Sequence, residues 1–486
     1  MKKLLTVVLA GTTVFAFAQK SPKPDAYAKT IAAADMKKHL YILASPDMEG
    51  RETGTEGQRK AAAYIENYFK EIGLQPGNGS SYQQPYTIYQ DTLLSTAIEV
   101  NGKAYELEKD FTPGNGVMQA TMRLNEVVVM GATATDSLKN ADLTGRLLMV
   151  IGTPNATFYQ QVFKKGPAGV LIVSSSFPRT TPYNRKGRQS IHAFNKTVSP
   201  QIFQVSENLA KAIAGDKYEA VKATPTSMQT AKAEVMLDVK KSFVTLPASN
   251  VVGFLPGTDL KDEYVVISAH YDHVGKRNGV VSPGADDDGS GTVGIMEIAE
   301  AFTKAKKEGK GPRRTIVFLA NSGEEKGLWG SEYYTDHPLF PLEKTSVDLN
   351  IDMIGRSDPD RKPDTLNYIY VVGDDKLSSD LKIISEAQNK KYTNLQLDYK
   401  YNDPNDKERI YYRSDHYNFA RYGVPIIFYY DGMLRPDYHK PTDTPDKINY
   451  ELMQKRAQLV FYTGWEMANR DAMLKRDIPL NTPPGF

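Results

Sequence analysis

Side chains that can bind metal ions recur through the second half of the chain. The clusters are His270-Tyr271-Asp272-His273, Asp286-Asp287-Asp288, Glu324-Glu325, Asp352 and His439. Imidazole nitrogen and carboxylate oxygen together suit borderline or hard divalent cations, and zinc is the first choice for such a set. The three adjacent aspartates repel one another, and a helix start would stabilise each by only about 0.3 to 1 kcal/mol. A bound cation explains this acidic turn better.

Each cluster alone also has an ordinary explanation. A single histidine at a strand end is usually a polar surface residue, aspartate triplets often cap helices or form turns, and adjacent glutamates are common on helix surfaces. We interpret His273, His337 and His39 in this ordinary way. His416 is left open between support of a metal ligand and an ordinary polar contact. The joint occurrence of the clusters in one predicted domain is what favours a metal site.

Composition narrows the chemistry further. The 486 residues include no cysteine, which excludes a disulfide framework, a cysteine nucleophile, a thiolate zinc site and an iron–sulfur cluster. Any metal must therefore be bound by carboxylates and by some of the seven histidines. The 60 Lys+Arg and 58 Asp+Glu residues nearly balance, so the chain lacks the basic excess of a nucleic-acid-binding protein.

Residues 1–18 are predicted to be a secretory signal peptide. Two lysines precede an apolar run over residues 4–18, which is shorter than the roughly 20 residues of a membrane-spanning helix. The run ends in Ala16-Phe17-Ala18, which is typical of a cleavage site. No cysteine follows that could carry a lipid, so we expect a secreted or periplasmic protein without a stable membrane anchor.

Hydrophobic patterning places most of the polar clusters after predicted strands. Apolar runs at residues 264–268, 315–320, 347–352 and 424–429 alternate with helical patterns, which indicates a mostly parallel α/β sheet flanked by helices. Such sheets bind ligands outside the carboxyl ends of their strands, so the polar residues can converge at one edge. On an extended segment Asp272 would share the face of His270, and we predict that it orients that imidazole.

A change in residue composition divides the chain. Its length corresponds to roughly three domain-sized units. Residues 113–240 contain short Val-rich runs between Gly, Pro, Ser and Thr clusters, which predicts a small β-rich module. We therefore expect one α/β domain formed by residues 19–112 and 241–486, with residues 113–240 as an insert. Amphipathic helices are predicted from Glu56 to Gly73 and near residues 450–468.

Together, these motifs resemble a known family, the co-catalytic zinc aminopeptidases related to bacterial leucyl aminopeptidase, whose relatives include glutamate carboxypeptidase and the transferrin receptor. The stretches that carry the resemblance are residues 268–272, 283–291, 321–327, 350–353 and 438–444, with upstream runs at 45–51 and 54–57. They cover the chain on both sides of the insert. Residues 141–146 and 165–170 of the insert resemble a protease-associated domain.

The resemblance implies roles for individual residues. It implies two zinc ions per chain, bound by His270, Asp287, Glu325, Asp352 and His439. Asp287 would bridge the ions, one of which also takes His270 and Asp352 and the other Glu325 and His439. Glu324 would be the general base. The Asp287–Asp288 peptide is implied to be cis.

On this resemblance we expect a di-zinc aminopeptidase that hydrolyses N-terminal residues from peptides with a metal-activated water. Two other functions are weighed: a glutaminyl cyclase-like enzyme, whose related site uses a single zinc, and a catalytically silent, receptor-like binding ectodomain, which would have lost ligands. The complete ligand set and the glutamate pair favour the hydrolase. The sequence leaves open the preferred residue, the oxyanion-stabilising group, carboxypeptidase or dipeptidase action, and a homodimer.

Overall fold

The computed structural model describes residues 23–194, 198–362 and 365–481. The predicted signal peptide at residues 1–18 lies outside these described residues. Within them, no helix combines the length and apolar character needed to cross a membrane. The chain divides into two compact units, one formed by residues up to Pro85 together with those from Ala248 onward, the other by Tyr86–Pro247.

Strands and helices are numbered in chain order. The strands are β1 Gln75–Pro76, β2 Gln83–Val100, β3 Lys103–Tyr105, β4 Phe111–Pro113, β5 Ala120–Gly131, β6 Leu147–Ile151, β7 Gly169–Val173, β8 Lys186–Ser190, β9 Gln201–Val205, β10 Met228–Leu255, β11 Leu260–His270, β12 Lys276–Arg277, β13 Val280–Val281, β14 Arg314–Asn321, β15 Thr345–Ile351, β16 Tyr368–Val372, β17 Gln396–Asp398 and β18 Ile426–Tyr430. The helices are α1 Asp25–Ala28, α2 Ala33–Leu43, α3 Glu56–Ile72, α4 Thr135–Lys139, α5 Ala156–Lys164, α6 Glu207–Ala214, α7 Asp216–Ala223, α8 Gly291–Lys307, α9 Trp329–Asp336, α10 Leu381–Gln388, α11 His416–Arg421 and α12 Tyr450–Asn469.

A mostly parallel sheet forms the core of the first unit. Its strands follow the order β17-β16-β18-β15-β11-β14-β10, to which β10 contributes residues 251–255. The neighbours β18, β15, β11 and β14 run parallel, whereas β10 and β16 join them antiparallel. The predicted fold class, a mostly parallel sheet flanked by helices, is confirmed.

Helices cover both faces of this sheet. Helices α3, α8 and α12 pack on one face, and α9 and α11 pack on the other. Every residue of β14 and β15 is accordingly buried, as expected for parallel strands covered on both sides. The predicted helix from Glu56 ends at Gly73, whose φ of 96° lies in the left-handed region that glycine tolerates.

The second unit, Tyr86–Pro247, has a β-rich core of its own. Strands β5, β6, β7 and β9 run parallel to their neighbours, and β10 and β4 pair antiparallel at the two sides. Helices α6 and α7 pack on this core through Leu209, Ile213 and Tyr218. The predicted Val-rich strands are present as β5, β6 and β7. The predicted insert, residues 113–240, falls within this unit, and its kinship with the protease-associated domain stays a prediction.

Candidate metal centre

The predicted site residues meet at the carboxyl edge of the sheet in the first unit. His270 is the last residue of β11. Glu324 and Glu325 form a short 3₁₀ turn just after the neighbouring strand β14. Asp352 comes directly after β15, and His439 lies in the loop that follows β18. The parallel order of these strands is what brings residues distant in the chain to one place.

Asp287 joins two histidine–carboxylate pairs. Its Oδ1 lies 3.3 Å from His270 Nε2, and its Oδ2 lies 3.1 Å from His439 Nε2. On the first side, Asp352 Oδ1 lies 3.5 Å from the same His270 nitrogen. On the second side, Glu325 Oε2 lies 2.9 Å from His439 Nε2. A single carboxylate that turns one oxygen toward each pair has the arrangement of a ligand shared by two metal ions.

Several buried polar atoms of this cluster make no aligned hydrogen bond within the described chain. They include His270 Nε2, Asp287 Oδ2 and Glu325 Oε1. A buried polar atom without a partner costs about 1 to 3 kcal/mol, so a group of them calls for an ion or water at the same place. The donor set, two imidazoles and three carboxylates without sulfur, fits divalent cations such as zinc.

Asp288 fastens the acidic turn to the surrounding backbone. Its Oδ1 accepts the N–H of Gly291 at 2.8 Å and of Met353 at 2.9 Å, and its Oδ2 accepts the N–H of His270 at 3.2 Å. Asp288 also lies close enough to His270 and Asp352 to share an ion with them. We assign it the supporting role because backbone donors already use both oxygens. A Cβ on Gly291 would lie 2.4 Å from Asp288 Oδ1, so only glycine permits this contact.

Two further hydrogen bonds hold the turn against the segment after β15. Ser290 Oγ accepts the N–H of Ile354 at 2.9 Å, and Asp286 Oδ1 accepts the N–H of Gly355 at 2.8 Å. The Asp287–Asp288 peptide is cis, as the resemblance implies. The turn that carries Asp287 is thus attached to the segment that carries Asp352.

The loop after β18 also supports the acidic turn. The carboxylate of Asp443 accepts the N–H of Asp286 at 3.0 Å and of Asp287 at 3.2 Å. Its backbone carbonyl accepts the N–H of Ala285 at 3.3 Å, and the residue is fully buried. One loop therefore presents His439 and fixes the backbone of Asp287.

Arg51 lies buried beneath the site, with 1% of its surface exposed. Its guanidinium donates hydrogen bonds of 2.7 to 2.8 Å to the backbone carbonyls of Tyr271, Leu43, Pro283 and Gly284. Burial lowers the pKa of Arg51, and the carboxylates of the site oppose that shift. This one cation ties the segment after His270 to the start of the acidic turn.

Asp272 supports both His270 and Glu324. Its backbone carbonyl lies 3.1 Å from His270 Nδ1, and its carboxylate lies 3.6 Å from the same nitrogen. The predicted support of the imidazole is therefore present, with the shorter contact made by the backbone. The carboxylate also accepts the N–H of Glu324 at 3.2 Å and the hydroxyl of Thr53 at 2.7 Å. The Thr53 hydroxyl accepts the N–H of Gly323 at 2.9 Å, so the turn before Glu324 is fixed as well.

In the metal-free protein the crowded charges perturb one another. Burial alone would lower the pKa of His439, but the carboxylates of Asp287 and Glu325 raise it to about 10. Burial raises the pKa of Glu324 well above its usual value, a shift that the His270 imidazole opposes and the neighbouring carboxylates reinforce. Strongly perturbed groups that share a cleft are typical of a functional site.

One narrow cleft, with a volume of about 20 Å³, is lined both by predicted ligands and by apolar side chains that form a pocket wall. Asp287, Glu324 and Asp352 line the cleft on one side, and the pocket wall is formed by Met353, Ile410, Phe428, Tyr430 and Leu434. The ring of Tyr438 stacks on His439 with centroids 3.8 Å apart. Arg413 and Tyr438 line both this cleft and a polar cavity of about 400 Å³ beside it.

Two histidines differ from their sequence interpretation. His273 is not a surface residue, because it is fully buried with Nδ1 2.8 Å from Glu325 Oε1. His39 is also buried, with Nδ1 2.7 Å from the Tyr64 hydroxyl. His416, which the sequence left open, makes an ordinary buried contact to the carbonyl of Tyr411 at 2.8 Å.

Arg51 and Asp443 were also missed as site residues. Both belong to the stretches that carry the family resemblance. No spacing in the sequence reveals which backbone groups they contact, because those groups lie up to 233 residues away along the chain. Only the folded arrangement identifies them as supports of the acidic turn.

Comparisons with known proteins relate this chain to a known family. The model of Peptidase family M28 matches residues 250–464. Aminopeptidase YwaD of Bacillus subtilis (strain 168) is 25% identical over 97% of this chain and 95% of its own length. A probable leucine aminopeptidase of Arthroderma otae is 31% identical over 45% of this chain and 57% of its own length.

Solved structures show the same fold. An aminopeptidase from Aneurinibacillus sp. strain AM-1 matches with a TM-score of 0.57 and 19% identity over 95% of this chain and all of that chain. A zinc aminopeptidase from Bacillus subtilis matches with a TM-score of 0.52 at the same identity and coverage. The family model assigns residues 250–464 to peptidase family M28. The predicted family and the predicted class of metallo-exopeptidase are confirmed.

Proposed function

We propose that this chain is a di-zinc aminopeptidase that removes N-terminal residues from peptides. One ion is bound by His270 and Asp352, the other by Glu325 and His439, and Asp287 is shared. The observation that carries the proposal is the placement of the two Asp287 oxygens. Oδ1 lies 3.3 Å from His270 Nε2, and Oδ2 lies 3.1 Å from His439 Nε2. The family match and the names of the relatives support both the metal and the reaction class.

Glu324 is the general base of the proposed reaction. Its side chain is 13% exposed and lines the cleft, with Oε2 3.8 Å from His270 Nε2. It accepts a proton from the attacking water and returns it to the nitrogen of the leaving peptide. Zinc held by these residues would supply Lewis acidity, which would polarise the scissile carbonyl and lower the pKa of water.

Tyr438 is the proposed donor to the oxyanion that develops on the substrate carbonyl. Arg413 donates to the Tyr438 hydroxyl oxygen at 3.4 Å, which leaves the hydroxyl proton free to face the cleft. Burial raises the pKa of Tyr438, and Asp287 and the glutamate pair raise it further, so the hydroxyl keeps its proton. Such a donor, aimed where charge develops, stabilises the transition state more than the ground state.

The apolar pocket is proposed to hold the side chain of the N-terminal residue. Met353, Ile410, Phe428, Tyr430 and Leu434 carry no formal charge, whereas Asp287, Glu324, Asp352 and Arg413 line the same cavity. A charged side chain placed against the five uncharged residues would lose its hydration without gaining a partner. We expect aminoacyl amides of leucine and phenylalanine to be cleaved faster than those of aspartate and lysine. A panel of these four substrates, compared by kcat/KM, tests this specificity.

Three further predictions complete the proposed function. We propose that residues 1–18 direct the chain to the periplasm or the exterior, and that residues 113–240 form a protease-associated-like insert that shapes substrate access. None of the five predicted ligands and neither Glu324 nor Tyr438 falls within the insert. A homodimer also remains part of the proposal.

The test of the proposed function is the zinc content of the wild-type protein and of Asp287→Ala. We expect two zinc ions per wild-type chain and loss of most zinc and nearly all peptide hydrolysis in the variant, because one side chain serves both ions. Asp374→Ala is the matched control, since Asp374 is equally buried but belongs to no predicted ligand pair. An Asp287→Ala protein that retains two zinc ions would contradict the bridging role. A single zinc with cyclisation of N-terminal glutamine would favour the cyclase instead.

A further inference from the structure

His273 is buried among the predicted ligands although it is not one of the five. No part of the residue is exposed. Its Nδ1 lies 2.8 Å from Glu325 Oε1 and 3.8 Å from Asp287 Oδ2. Its ring meets the ring of His439 edge-on, with centroids 5.6 Å apart. Neither of its ring nitrogens makes an aligned hydrogen bond within the described residues, and it lies close enough to Asp287 and Glu325 to share an ion with them. Its position therefore needs an explanation that the five-ligand set does not give.

The two oxygens of Glu325 face different histidines. Oε2 lies 2.9 Å from His439 Nε2, the nitrogen that also faces Asp287. Oε1 instead faces His273. A carboxylate with both oxygens free can present either of them, or both, to an ion. A donor beside Oε1 restricts Glu325 to presenting Oε2 toward His439.

The His273 ring is held in place by its surroundings. Gly284 has a φ of 57°, and a Cβ on this residue would lie 2.5 Å from His273 Cγ. The ring therefore packs directly against the backbone of the acidic turn. The N–H of His273 donates to the carbonyl of Arg51 at 3.4 Å. Packing on one side and a backbone contact on the other fix the ring beside Glu325.

We propose that His273 is a positioning residue for the metal bound by Glu325 and His439. Its Nδ1 lies against Glu325 Oε1 and occupies that side of the carboxylate, which leaves Oε2 as the metal ligand. This inference rests on the proposed di-zinc function. Carboxylate ligands are commonly oriented by such outer contacts, and loss of the contact typically weakens metal binding about 10- to 100-fold.

Substitution of His273 by asparagine or by glutamine distinguishes a positioning role from other roles of this residue. The side-chain nitrogen of asparagine is as many bonds from Cα as His273 Nδ1, whereas that of glutamine is one bond farther. His273→Asn should therefore restore the donor beside Glu325 Oε1, and His273→Gln should not. Zinc affinity is measured for both variants by competition with a chelator. We expect the more weakly bound zinc of His273→Gln to have an affinity about 10- to 100-fold lower than in the wild-type protein. The zinc affinities of His273→Asn should stay close to those of the wild-type protein.

His39→Gln is the matched control, because His39 is also buried and has one ring nitrogen beside a side-chain oxygen, that of Tyr64. It should change neither zinc affinity. Circular dichroism and thermal unfolding of the metal-free proteins show whether each variant folds. Wild-type zinc affinity in His273→Gln would overturn the proposal. Equal loss of zinc in both His273 variants would also overturn it, since His273 would then be a ligand itself. A wild-type protein without two bound zinc ions would instead overturn the proposed function.

Discussion

Replacing Arg51 by methionine tests how the ligand-bearing segments are held. Hydrogen bonds from a charged donor contribute about 1.5 to 3 kcal/mol each, so the four that Arg51 makes would sum to about 6 to 12 kcal/mol. Water can enter the space of the lost guanidinium and hydrate the carbonyls. Methionine also keeps most of the packing of the arginine stem. We therefore expect the free energy of unfolding to fall by about 3 to 5 kcal/mol, as for other broken buried networks.

The chain offers a matched control in Arg314, which is also fully buried. Its guanidinium donates to the carboxylate of Glu263 and to the backbone carbonyls of Met467, Arg470 and Asp471. None of these groups belongs to the predicted metal centre. Arg314→Met should therefore lower the free energy of unfolding by a similar amount without disturbing the ligands.

The assay combines denaturant unfolding of the metal-free proteins with zinc affinity from chelator competition. Two of the carbonyls that Arg51 contacts, those of Pro283 and Gly284, directly precede the acidic turn. Arg51→Met should consequently weaken zinc binding about 10-fold or more, whereas Arg314→Met should leave it unchanged. Equal zinc affinity in the two variants would refute the role of Arg51 in positioning the turn. If Arg51→Met unfolded at the same denaturant concentration as the wild-type protein, the expected fall in the free energy of unfolding would be refuted as well.

Three other predictions concern single side chains. Glu324→Gln should keep its zinc while kcat falls about 10²- to 10⁴-fold, and near-normal turnover of this variant would exclude Glu324 as the base. Glu325→Gln should instead lose affinity for one zinc. Tyr438→Phe should lower kcat about 10²-fold at unchanged zinc content, and an unchanged kcat would exclude it as the oxyanion donor. Burial raises the pKa of Glu297 from 4.5 to about 8. Between these pH values the folded protein therefore keeps a proton that the unfolded chain releases. The contribution of this proton to the free energy of unfolding is lost as the pH rises through about 8. Denaturant unfolding should find Glu297→Gln close to wild type near pH 5 but about 2 to 5 kcal/mol more stable near pH 9; equal stability at both pH values would contradict the shifted pKa.

The strand ends could be predicted because their signals are local. Short apolar runs such as Ile316–Ala320 of β14 favour strands buried on both faces, and polar residues begin where each run ends. The edge of an α/β sheet at which those ends meet follows from chain direction alone. For this reason His270, Glu325 and Asp352 could be expected in one place before their distances were known.

His273 could not be predicted, for a reason of geometry. If the extended conformation continued past His270, side chains would alternate, and His273 would point away from His270 and Asp272. The strand β11 ends at His270, so the alternation stops and the chain turns His273 back toward Glu325. The role of Arg51 was hidden differently, because its acceptors are backbone carbonyls, which no residue type reveals.

The sheet order has a consequence for when the protein becomes active. Strand β18 is the last strand of the described residues, yet it lies between β15 and β16 in the sheet. During synthesis, β15 is therefore left with a bare edge until residues near 430 have been made. The loop that carries His439 comes later still, so a nascent chain, or one cut short before that loop, lacks a ligand of the proposed second ion. On the proposed two-ion mechanism, such a chain is not expected to hydrolyse peptides.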